Sequence, residues 1–75
     1  MGNHGQKVEF IKNAIEINPK IATYYRNLGA AYYSLKDYDQ AINSHNKAIE
    51  LEPKNAINYH NKGAAYLRSN RPEEA

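Results

Sequence analysis

The feature that most constrains this chain is that it repeats itself. Displaced by 34 residues, Ala22 falls on Ala56, Tyr25 on Tyr59, Asn27 on Asn61, Gly29 on Gly63, Ala30 on Ala64, Ala31 on Ala65, Tyr32 on Tyr66 and Ala41 on Ala75. Those are 8 identities over the 20 aligned positions 22–41. The stretch upstream repeats as well: Ala14, Ile15, Glu16, Pro19 and Lys20 match Ala48, Ile49, Glu50, Pro53 and Lys54. A period of this size, carrying helical apolar spacing, marks a helix–turn–helix solenoid in which each unit buries its apolar face only against its neighbours.

Helix boundaries follow from local chemistry. Val8, Ile11, Ala14 and Ile15 share one helical stripe, predicting a helix from about Gly5 to Ile17. Asn18-Pro19 ends it, because proline lacks an N–H and pushes the preceding residue out of the helical region. A second helix is predicted from Ala22 to about Leu35. Asp37, with Gln40 three residues on, then reads as the N-terminal cap of a third. That helix stops at Glu52-Pro53, and a fourth is predicted over Ala56–Arg68, with a break at Ser69–Arg71 and Asn70 as a left-handed terminator. Pro72, Glu73 and Glu74 resemble the start of a further helix. The expected class is all-α, with about four antiparallel helices.

The span 22–55 resembles the tetratricopeptide repeat family. The family pattern of spaced aromatic, Leu-Gly, aromatic, small and proline positions is met by Tyr25, Leu28, Gly29, Tyr32, Ala41, Ala48 and Pro53. One position departs from it: His45 stands where the family carries an aromatic residue. The resemblance implies small residues where helices approach closely (Gly29, Ala41, Ala48) and tyrosines filling the gaps between helices, their hydroxyls reaching solvent. It divides the chain into a flexible start (1–6), the second helix of a preceding repeat (7–21), a full repeat (22–55) and the first helix of a following one (56–75). Lys7 stands where the family packs an alanine. A desolvated lysine is costly, so the first helix is expected to have none in front of it.

Family members bind extended peptides or partner helices in the concave face of the solenoid. Carried over by position, that face comprises Thr23, Arg26, Asn27, Ala30, Tyr33 and Ser34 from one unit and Ile57, His60, Asn61, Ala64, Leu67 and Arg68 from the next. Asn27 and Asn61, one period apart, are expected to form a ladder of amides able to donate to and accept from a peptide backbone. Some members grip a C-terminal carboxylate with basic and Asn residues. Ala30 occupies one of those Asn positions here, so a complete clamp is not expected.

Other chemistries find little support. The chain has no cysteine, which excludes disulfides and cysteine-based zinc sites and fits a cytoplasmic setting. His4, His45 and His60 lack metal-ligand spacing, so neither a metal nor any cofactor is expected. Ser34, Ser44 and Ser69 form no nucleophilic arrangement, and the glycines form no phosphate loop, so no enzyme is expected. No apolar run reaches membrane-spanning length. Seven tyrosines would suit single-stranded RNA, but a net charge of +2 from 10 basic and 8 acidic residues ranks nucleic acid last. A protein or peptide partner is the leading expectation. The second is self-association into a homo-oligomer through repeat ends left uncovered at Ile11, Tyr59, Tyr66 and Leu67.

Overall fold

The computed structural model describes residues 3–70. Four helices follow one another: α1 His4–Ile17, α2 Ala22–Ser34, α3 Tyr38–Leu51 and α4 Ala56–Asn70. Each packs against the next in sequence, and α2 also touches α4 across α3. The Cα extents of the resulting array are 40 × 33 × 15 Å. The described residues contain no strand, and none of their helices is long and apolar enough to cross a membrane.

The turns show why the chain breaks where it does. Asn18 and Glu52, each followed by proline, leave the helix with extended φ of −142° and −136°. Both still donate a backbone N–H to the last turn, to the Ala14 and Ala48 carbonyls at 2.9 and 2.8 Å. The prolines do further work. The Tyr25 hydroxyl donates to the Pro19 carbonyl at 3.0 Å, and the Tyr59 hydroxyl to the Pro53 carbonyl at 2.9 Å. These two tyrosine hydroxyls therefore fasten each turn to the helix after it rather than pointing only to water.

Starts are capped by short polar side chains. Asn3 accepts from the Gln6 N–H at 3.0 Å, Asp37 from the Gln40 N–H at 3.3 Å and Asn55 from the Ile57 N–H at 3.0 Å. The Asn3 cap starts α1 at His4, one residue before the expected Gly5, and His4–Gln6 belong to its first turn. The end of α2 closes through two bonds, Lys36 N–H to the Tyr33 carbonyl at 3.0 Å and Asp37 N–H to the Tyr32 carbonyl at 2.9 Å. This is a Schellman arrangement, and it places Lys36 in the left-handed region at φ 65°. The expected stop of α4 near Arg68 is not observed. Ser69 and Asn70 remain helical, and the segment 71–75 lies outside the described residues.

The core runs along the seam of α1, α2, α3 and α4. Val8, Leu28, Ala31, Tyr32, Ala41, Ile42 and Ala65 form it, with Ile11, Ile15 and Tyr33 packed at its edge. Ala41, Ala48 and Ala65 are wholly buried, as close helix approach requires.

Candidate functional site

Two open grooves lie side by side, and α2 is their shared wall. The first, of about 380 Å³, is lined by Ala30, Tyr33 and Ser34 of α2, His45 of α3, and Asn61 and Ala64 of α4. The second, of about 400 Å³, is lined by His4, Lys7 and Ile11 of α1 and by Asn27, Ala30, Ala31 and Ser34 of α2. They are one site repeated. Displacement by 34 residues carries Ile11, Asn27 and Ala30 of the second groove onto His45, Asn61 and Ala64 of the first. Each groove thus has an aliphatic or imidazole floor, a small alanine in its wall and an asparagine at its rim. Asn27 and Asn61 occupy equivalent positions in neighbouring grooves, with the Ala30–Ser34 ridge between them.

The remaining concave-face candidates divide. Thr23, Ile57, His60 and Leu67 are exposed, and neither groove includes them. Arg68 lines a different hollow, with Ser69 and the α2–α3 turn residues Lys36, Asp37, Tyr38 and Asp39. Arg26 is committed to packing. Its Nη2 donates to Thr23 Oγ1 at 3.0 Å, and its Nη1 lies 3.2 Å from Asn58 Oδ1 and 3.4 Å from Glu52 Oε1. Asn58, wholly buried, donates in turn to the Ala48 carbonyl at 3.4 Å, and Asn55 donates to Glu52 Oε1 at 3.0 Å. This network ties α2, the end of α3 and the start of α4 together. Sequence reasoning passed over Asn58. The available signal was its spacing: it lies seven residues before the buried Ala65, on the inward stripe, where the preceding repeat has Tyr24.

His45 is the unusual member of the groove. It is only 2% exposed, and the site for a Cβ on Gly29 lies 2.5 Å from its ring. The missing side chain at Gly29 is therefore what makes room for the imidazole. Burial, and then the positive Arg26 guanidinium, lower the His45 pKa below its ordinary 6.5, so the ring is neutral at pH 7. Its Nδ1 is buried without a hydrogen-bond partner. Tyr33, on the opposite wall, stacks edge-to-face on Tyr38, with ring centroids 5.4 Å apart.

Among the described residues no three His, Asp or Glu side chains gather as a metal site. The groove linings combine small apolar walls with amide, hydroxyl and imidazole groups.

Comparison with known proteins fits this geometry. One family model, described as tetratricopeptide repeat, matches residues 22–55, and a second of the same description matches 46–75. No curated protein matches the chain.

Proposed function

Because this chain belongs to the tetratricopeptide repeat family, whose repeats generally mediate protein–protein interaction, we propose that its concave face holds an extended peptide or helix of a protein partner. The observation that carries this reading is the repetition of the groove. Asn27 and Asn61 recur at the same rim position, each beside an alanine that lets a ligand backbone approach. A peptide lying across α2 and α4 meets both amides in turn, and each can donate to and accept from its backbone. The test is a peptide selected from a random display library against the whole chain. Its affinity should fall by about tenfold or more when both asparagines become alanine, since each lost hydrogen bond is worth about 0.5–1.5 kcal/mol, while helicity is unchanged. Equal affinity for the Asn27→Ala/Asn61→Ala variant would remove the ladder.

A second reading, self-association, rests on a separate observation. Large apolar side chains stand in solvent on both terminal helices: Phe10 and Ile17 are 72% and 86% exposed on α1, and Leu67 is 77% exposed on α4, beside half-exposed Tyr59 and Tyr66. A stack that continued the repeat from one copy to the next would put Lys7 and Lys62 at the places held within the chain by the core residues Ala41 and Leu28. Two desolvated cations oppose that arrangement. Copies would therefore pair through Phe10, Ile17 and Leu67 in another geometry, and sedimentation equilibrium over micromolar to millimolar protein tests for it.

A further inference from the structure

Both grooves share one plan, yet they differ in charge. The first is lined by uncharged side chains, since the His45 ring is neutral at pH 7. The second has Lys7 in its wall. Displacement by 34 residues carries Lys7 onto Ala41, which is wholly buried in the core, whereas Lys7 is exposed. The lysine is thus a departure from the repeat that gives one groove a cation and leaves the other without one. Among the described residues its ammonium has no ion-pair or hydrogen-bond partner.

We propose that the groove between α1 and α2 receives the side-chain carboxylate of an aspartate or glutamate in the partner peptide, paired with the Lys7 ammonium while the Asn27 amide donates to it from the other wall. The assignment rests on the partner-binding reading above and adds a direction to it. The acidic residue lies toward α1, and an uncharged residue occupies the first groove. Lys7 is not among the concave-face positions that the family resemblance implies, so this contact is particular to the present chain.

No acid of the chain competes for this lysine. Among the described residues neither groove lining contains one, and α2 has none along its length. Glu9, two residues on from Lys7, projects from another side of α1. A carboxylate entering the first groove would give up hydration without meeting a free cation, because the Arg26 guanidinium is held by Thr23, Asn58 and Glu52. In the second groove it meets an ammonium that stays partly in water on a flexible stem, and an amide donor beside it. A lysine or arginine of the peptide would be repelled there. The grooves are separated by one helix, α2, about 10–12 Å across. An extended chain at about 3.3 Å per residue spans that width in about three or four residues, which sets the spacing of the acidic and uncharged positions.

The experiment selects a random peptide library displayed on phage, each peptide fused at its C-terminus so that no free terminal carboxylate is present. Selection runs in parallel against the whole chain and its Lys7→Glu variant. Aspartate or glutamate should be enriched at one position with the parent, and lysine or arginine at that position with Lys7→Glu. A selected peptide is then made as its C-terminal amide, with the acid or its uncharged amide counterpart at that position. The acidic form should bind the parent about three- to fivefold more tightly, as a partly solvated ion pair allows. That advantage should shrink as salt is raised and vanish against Lys7→Ala, whose helicity should match the parent because Lys7 is exposed. Should selection yield no binder, N-acetylglutamate amide and N-acetylglutamine amide are titrated into the chain, and the acid should shift the Lys7 and Asn27 backbone amide resonances more. Equal response to the acidic and uncharged forms, a preference that survives in Lys7→Ala, or acid enrichment unchanged by Lys7→Glu would each overturn the proposal. The groove reading fails separately. A selected peptide that depends on Asn27 and Asn61 but gains nothing from an acid leaves the groove standing and makes this assignment wrong.

Discussion

Gly29 and His45 make one joint: the imidazole of α3 occupies the space that a Cβ on α2 would need, and that Cβ would stand 2.5 Å from two ring atoms. The same position one repeat later, Gly63, has nothing within 4 Å of its Cβ site. Two chemically identical substitutions should therefore act with opposite sign. Gly29→Ala forces the ring or the helix to move and should cost about 1–3 kcal/mol, as overpacking does. Gly63→Ala relieves only the poor helix propensity of glycine and should add up to about 1 kcal/mol. Thermal unfolding of both variants against the parent checks this. The same sign for both would contradict the packing described.

Lys36 offers a second substitution that should stabilise the chain. It terminates α2 at φ 65°, a conformation that crowds a Cβ and costs an ordinary residue about 1–2 kcal/mol. It is exposed, and no bond of its side chain is needed to close the turn. Lys36→Gly should raise the melting midpoint, offset in part by the greater freedom of glycine in the unfolded chain. An unchanged or lower midpoint would show that the turn does not hold this residue left-handed in solution.

The polar network behind the groove gives a third. Asn58→Ala removes one of the three acceptors of Arg26 and one donor to the Ala48 carbonyl in a wholly buried place. A loss of about 1–3 kcal/mol is expected, because the former partners stay behind with unmet hydrogen bonds. Asn55→Ala, outside the buried part of the network, should cost less. Urea unfolding with unchanged slope would report the two losses, and equal losses would argue against Asn58 as the centre.

Stability should also fall in mild acid. Burial first, and the Arg26 guanidinium second, lower the folded-state pKa of His45 from 6.5. Between those two values the unfolded chain binds a proton that the folded chain refuses, so stability drops as pH falls below about 6.5 and levels off once the folded ring itself protonates. The limiting slope for one such group is about 1.4 kcal/mol per pH unit. His45→Ile should flatten this part of the profile. The parent slope persisting in that variant would place the acid sensitivity elsewhere.

Much of this molecule is legible in its sequence. The 34-residue period gives the repeating plan, Asn18-Pro19 and Glu52-Pro53 locate the ends of α1 and α3, and Asp37 with Gln40 marks the start of α3. Those signals are local, set by backbone sterics and short hydrogen bonds. The misreadings concern what depends on three dimensions. Arg26 looks like a free concave-face cation, but it is drawn inward by Asn58, a residue 32 positions away. Arg68 shares the repeat register of Ser34, yet α4 continues past the expected stop and Arg68 lines the hollow at the α2–α3 turn. His45 is visible as a departure from pattern. That it fills the space above Gly29 and keeps an unpaired nitrogen emerges only once the helices are packed.

The most direct test of the account is where a bound peptide touches the chain. Backbone amide shifts on titration with a display-selected peptide should be largest at Asn27, Ala30, Ser34, Asn61 and Ala64, along both grooves, and the Asn27→Ala/Asn61→Ala variant should suppress them. Shifts confined instead to the outer faces of α1 and α4, around Phe10, Ile17 and Leu67, with the two grooves silent, would contradict it.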